Sequence, residues 1–159
     1  MSTIRVILAD DHQLVRAGIR ALLQNIPNIE VVGEAADGRD ALALALEHHP
    51  DVLLLDITMK GMNGLEALTR LTKEAPDVRV LVLSMHTDHA YVVQALRSGA
   101  AGYVLKNSAP SELDIAIRAV MNGDNYLSPS ISKHVIHQYL ASDLPTRTPS
   151  NGLTPRQRE

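Results

Sequence analysis

Cysteine is absent from the 159 residues, which excludes disulfide frameworks, zinc–thiolate sites and a cysteine nucleophile. Phenylalanine and tryptophan are absent too, and four tyrosines are the whole aromatic complement. The core must be aliphatic, and the aromatic platforms on which single-strand nucleic acid binders stack bases are not expected. No stretch approaches the ~20 uninterrupted apolar residues that span a bilayer, and the N-terminus lacks a signal-peptide layout, so no membrane partner and a cytoplasmic location are expected. Positive charge is scarce in the body of the chain. Residues 1–127 carry 16 Asp/Glu against 11 Lys/Arg (net −5), whereas residues 128–159 carry 2 against 4 (net +2). An acidic body binds a phosphate backbone poorly, so any DNA contact belongs to residues C-terminal to it.

What the chain has in abundance is short aliphatic runs alternating with helical periodicity. Ile4–Ala9, Ile29–Val32, Val52–Leu55, Val78–Leu83 and Gly102–Leu105 read as five strands. Between them, Val15, Ile19, Leu22, Leu23 and Ile26 recur on one helical face, as do Leu65, Leu68, Leu71 and Ala75, and later Leu113, Ala116, Ile117, Val120 and Met121. Segments 38–49 and 88–99 are shorter helices. Near-continuous apolar strands are those of a parallel sheet covered on both faces, so an α/β sandwich with right-handed crossovers is expected. Asn122–Asn125 breaks the fifth helix. Ser128-Pro129 reads as an N-cap with proline at the first helical position, opening a short helix from about 130 to 141. Residues 142–152 have linker composition, and Thr154, Pro155 and Gln157 read as a capping-box start with one turn of chain after it.

Ligands of open α/β sheets sit beyond the carboxyl ends of the strands. Asp10 and Asp11 follow the first strand, Asp56 the third, Ser84 the fourth and Lys106 the fifth. Each alone has an ordinary reading: a helix cap, a loop opening, a strand end, a solvated charge. Together they are harder to dismiss. Two carboxylates ~4 Å apart repel by about 4 kcal/mol at an effective dielectric near 20, so three in one place call for a cation or a raised pKa. Oxygen donors with water and a phosphoryl group suit magnesium. A carboxylate facing such an ion, a hydroxyl and a lysine is equipped to become an aspartyl phosphate by in-line transfer. Asp56, ending a central strand, is the expected nucleophile, and Asp10-Asp11 the expected metal pair.

These residues, in this order and spacing, resemble the five-residue signature of two-component receiver domains. The runs Gly61–Glu66 and Ser98–Lys106 are similar to that family's phosphoacceptor loop and fifth-strand motif. Leu127-Ser128-Pro129 and the final Leu153–Glu159 resemble the NarL/FixJ class, where Leu-Thr-Pro-Arg opens a LuxR-type helix-turn-helix domain. The resemblance implies a flavodoxin-like, doubly wound five-stranded parallel sheet of order 2-1-3-4-5 with five helices and a short C-terminal linker helix. It divides the chain into a receiver at 1–125, a linker at 126–152 and the first residues of a truncated DNA-binding domain at 153–159. It implies that Asp56 accepts phosphate from a sensor histidine kinase. Mg²⁺ (or Mn²⁺) would be ligated by Asp11, Asp56 and the Thr58 carbonyl, with Asp10 acting mostly through water. Ser84 and Lys106 would engage the phosphoryl oxygens, and Tyr103 would change rotamer with them. No other cofactor is implied, and no activity beyond the protein's own phosphorylation and dephosphorylation. Phosphorylation would bring homodimerisation, with DNA bound through the C-terminal domain. Lys60 stands where the family has proline, and Thr58 and His86 stand where it tunes phosphate lifetime.

The rival readings fare worse. A haloacid-dehalogenase-like phosphatase has its nucleophile after the first strand in Asp-x-Asp, whereas Asp56 follows the third and position 58 is threonine. A flavodoxin-like flavin site wants a Ser/Thr/Gly-rich first loop, and Asp10-Asp11 would repel its phosphate. A receiver-like module that is never phosphorylated has no need of intact acids, hydroxyl and lysine. Ser84, His86 and Asp88 lie too close in sequence to converge as a hydrolase triad and have no Gly-x-Ser-x-Gly elbow. His86 with His89, and His134 with His137, have no evident third ligand for zinc.

Overall fold

The computed structural model describes residues 3–59, 64–85 and 88–133, with the side chain of His89 excepted. Strands β1 (Ile4–Ala9), β2 (Ile29–Ala35), β3 (Val52–Asp56), β4 (Arg79–Ser84) and β5 (Gly102–Leu105) alternate with helices α1 (Gln13–Gln24), α2 (Gly38–His48), α3 (Gly64–Glu74), α4 (His89–Arg97) and α5 (Ala109–Met121). All pairings are parallel, and the sheet order is β2-β1-β3-β4-β5-β6.

The expected five-strand order is thus present with one addition. Tyr126–Leu127 form a two-residue sixth strand, β6, which pairs in parallel with the outer edge of β5. Its shortness explains why alternation and run length do not reveal it: two residues carry no period. The second strand also runs past Val32 to Ala35, because a register irregularity between Val6 and Ile7 lets Gly33, Glu34 and Ala35 continue the ladder with Ile7, Leu8 and Ala9.

Every residue of β3 is buried, as a central parallel strand requires. One core layer gathers Ile7, Leu53, Leu55, Val82 and Tyr103 against α2, α3 and α4; the other gathers Val6, Leu8, Leu54, Leu81 and Leu83 against α1 and α5. Alternate residues of each strand thus serve opposite layers. Among the described residues, Tyr103 lies fully buried and the rest of the buried core is aliphatic.

Asp11 is not the cap of α1. The N-cap is His12, whose side chain makes no capping bond, and Asp11 is left for the site. Asp37, by contrast, caps α2 with its side chain on the Asp40 amide at 2.8 Å. After β6 a helical turn begins at 129–133. The rest of the expected 130–141 helix, the linker at 142–152 and the tail at 153–159 lie outside the described residues, as do Lys60–Asn63, His86, His134 and His137. No helix among the described residues is long and apolar enough to cross a membrane.

Candidate phosphoacceptor site

The carboxyl ends of β1, β3, β4 and β5 bring the expected residues together. Ligand atoms of Asp10, Asp11, His12 and Asp56 all lie within 4.8 Å of one another. Asp10 and Asp56 are buried at 0% and 1% exposure, and Ser84 is buried beside them. Lys106, just beyond β5, places its ammonium 2.8 Å from Asp10 Oδ2 and 3.1 Å from Asp56 Oδ2.

Local geometry fixes each carboxylate. Asp56 ends β3, and its Oδ1 accepts from the Thr58 amide at 3.0 Å and the Thr58 hydroxyl at 2.9 Å. Both of its oxygens are therefore engaged, one by Thr58 and one by Lys106. Asp10 Oδ1 accepts the His12 amide at 2.8 Å, closing the turn into α1. Arg16, one turn into that helix, reaches back to the Asp10 carbonyl at 2.6 Å and pairs with Glu34 on β2 at 3.1 Å. Asp11 stays near the rim, with His12 Nδ1 3.1 Å from its Oδ1.

Charge accounting decides what the pocket can hold. Three carboxylates cluster here and one ammonium contacts two of them, Asp10 and Asp56, a formal surplus of two negative charges with Asp10 and Asp56 buried. Burial works to lower the Lys106 pKa, but contact with Asp10 and the charges of Asp56 and Asp10 outweigh it, so the net shift is upward and the ammonium stays charged. Clustered oxygen donors with a charge deficit of two fit a divalent hard cation, so the residues present match Mg²⁺ or Mn²⁺.

Ser84 and Tyr103 are linked: the Tyr103 hydroxyl sits in a side-chain hydrogen bond with Ser84. Burial, first, and the nearby charges of Asp88 and Asp56 push the Tyr103 pKa up, with the Ser84 bond opposing them. Tyr103 is fully buried in the core layer with Val82 and Leu105.

Sequence reasoning did not find Arg16, the His12 contacts or the Thr58 hydroxyl. The signal for Arg16 was its place four residues after His12, which puts it over the β1 end. The bond from the Thr58 hydroxyl to Asp56 has no signal in the sequence, since a hydroxyl two residues from a carboxylate folds back on it only if the loop turns.

The model of the response regulator receiver domain matches residues 6–118. The transcriptional regulatory protein DegU of Brevibacillus brevis is 41% identical over 136 residues, covering 86% of this chain and 58% of its own length. The response regulator UvrY of Escherichia coli K12 is 38% identical over 154 residues, 97% of this chain and 70% of its own. The chain thus spans about 60 to 70% of these relatives. The crystal structure of a LuxR-family two-component response regulator from Aurantimonas sp. SI85-9A1 superposes with a TM-score of 0.84 at 38% identity, covering 87% of this chain and 99% of that one. With the parallel sheet and the site it carries, these likenesses settle the family: the chain belongs to the two-component response regulators of the LuxR type and carries their receiver domain.

Proposed function

We propose that Asp56 is the phosphoacceptor of this receiver. One Asp56 carboxylate oxygen attacks phosphorus in line; an oxygen–phosphorus bond forms, the bond to the donor's histidine nitrogen breaks, and the imidazole leaves. The observation that carries this reading is the convergence of buried Asp56 with Asp10 and Lys106, an arrangement with little structural use for so much charge.

Asp11, Asp56 and the Thr58 carbonyl would hold Mg²⁺, with Asp10 behind them acting through water. The ion when bound supplies charge neutralisation of the phosphoryl oxygens. Lys106 faces the same oxygens from the other side and keeps its proton. Thr58 holds the Asp56 carboxylate in one orientation, so little freedom is lost on reaction. Ser84 donates to a phosphoryl oxygen by exchanging its Tyr103 contact, which frees Tyr103 to change rotamer. The receiver's two-state equilibrium is biased by that exchange.

The kinase, homodimerisation on phosphorylation and DNA binding belong to the same reading. They are supported by a relative named as a transcriptional regulatory protein and by the Leu153-Thr154-Pro155-Arg156 stretch. The domain division at 125/126 and 152/153 and a cytoplasmic location are proposed on the same grounds.

The test is mass after acetyl phosphate treatment with Mg²⁺. The wild-type protein gains one phosphoryl group and Asp56→Asn gains none; a label that survives Asp56→Asn overturns the assignment.

A further inference from the structure

Ser128 opens the helical turn at 129–133, and its carbonyl accepts the Ile131 and Ser132 amides at 2.8 and 2.9 Å. Its hydroxyl does not cap that turn. Ser128 Oγ accepts the Leu105 amide of β5 at 3.0 Å and donates to Glu112 Oε1 on α5 at 2.6 Å. The Tyr126 hydroxyl donates to the same Glu112 oxygen at 3.0 Å, and the Ser128 amide closes on the Tyr103 carbonyl at 3.0 Å. Ser128 is fully buried, and among the described residues the other buried polar or charged ones, Asp10, Asp56 and Ser84, belong to the phosphoacceptor site.

Position gives this chain of bonds its consequence. Leu105 ends β5 and immediately precedes Lys106. The β6 pairing stops at Tyr103–Leu127, so the Leu105 amide lies beyond that ladder, and Ser128 is what satisfies it. A bond that ends on a carboxylate is charge-assisted and stiff, and it polarises the bond before it. Two further features hold the segment in place. A Cβ on Gly102 would stand 2.6 Å from the Tyr126 carbonyl oxygen, so the glycine is what lets β6 approach. Ile131 is buried in the core layer that contains Val92, Ala95 and Tyr103.

We infer that Ser128, braced by Glu112 and Tyr126, is a positioning residue for Lys106. The segment after α5 is then part of the phosphoryl-transfer architecture rather than a tether. This rests on the reading of Asp56 as phosphoacceptor. It makes the coupling reciprocal: whatever moves β5 on phosphorylation pulls on residues 126–133, and whatever pulls on them displaces Lys106.

The test uses the full chain and two readouts: the rate of Asp56 phosphorylation by acetyl phosphate with Mg²⁺, in which the phosphorus–oxygen bond to acetate breaks and acetate leaves, and hydrogen exchange at the Leu105 amide. Ser128→Ala is expected to slow phosphorylation about tenfold, a loss of positioning, and to accelerate Leu105 exchange by a similar factor. Ser128→Thr, which keeps the hydroxyl, restores both to within about twofold of wild type. Should Ser128→Ala not fold, Glu112→Gln and Tyr126→Phe, which preserve shape, are expected to show the same paired changes in weaker form. Faster Leu105 exchange with an unchanged rate overturns the inference, as does a slowed rate that threonine does not rescue. Asp56→Asn separates the two claims: a label retained there defeats the phosphoacceptor reading, whereas wild-type phosphorylation of Ser128→Ala defeats only the clamp.

Discussion

The Lys106 ammonium lies closer to Asp10, at 2.8 Å, than to Asp56, at 3.1 Å, and so bridges two carboxylates that are otherwise buried with their charge. Removing one partner of a buried pair leaves the other uncompensated, which costs several kcal/mol. Lys106→Met is therefore expected to lower unfolding free energy by about 2–4 kcal/mol at neutral pH, with part of the loss recovered on adding Mg²⁺. Urea unfolding with and without the metal measures both; an unchanged midpoint would show that the acids are not charged together.

Mg²⁺ itself should stabilise the wild-type protein. Binding only the folded state adds about 2.7 kcal/mol at a free concentration a hundred times Kd. Asp11→Asn and Asp56→Asn each remove one of the clustered ligand oxygens and should weaken Mn²⁺ binding at least about tenfold, read by electron paramagnetic resonance of the ion. Retained affinity in both variants would place the ion elsewhere.

Two glycines should respond oppositely to alanine. At Gly64, which begins α3, an added Cβ would overlap the Ile57 Cα and the Asp56 carbonyl, so Gly64→Ala should cost about 3 kcal/mol and disturb metal binding at Asp56. At Gly18, inside α1, a Cβ meets nothing within 4 Å, and Gly18→Ala should add about 0.5–1 kcal/mol. Thermal melts of the pair provide the comparison.

Alkaline pH tests the Glu112 brace. Burial, then the hydrogen bond and charge of Glu112, push the Tyr126 hydroxyl up to about 12 from 10.0. Its folded-state pKa exceeds the unfolded value, so this stabilisation is complete below pH 10 and lost as pH climbs towards 12. Absorbance at 295 nm should show late-ionising tyrosines, Tyr103 and Tyr126, and Glu112→Gln should move Tyr126 down; a Tyr126 that ionises at its ordinary value would remove the brace.

The α/β alternation, both ends of β1 and β5, and the polar residues at the strand ends are legible in the order of residues alone. Burial on both faces writes itself into unbroken aliphatic runs such as Val52–Leu55, and charge at Asp10, Asp11, Asp56 and Lys106 is too expensive to lie beside such runs by accident. Tertiary structure alone decided that Lys106 favours Asp10, that Thr58 turns back on Asp56, that Arg16 ties α1 to the Asp10 loop, and that Ser128 spends its hydroxyl on β5 and α5 rather than on its own helix. Periodicity records which face of an element is buried. A hydrogen bond between residues 16 to 50 positions apart, such as Ser128–Glu112 or Lys106–Asp56, depends on how elements meet in space, and leaves no local pattern to read.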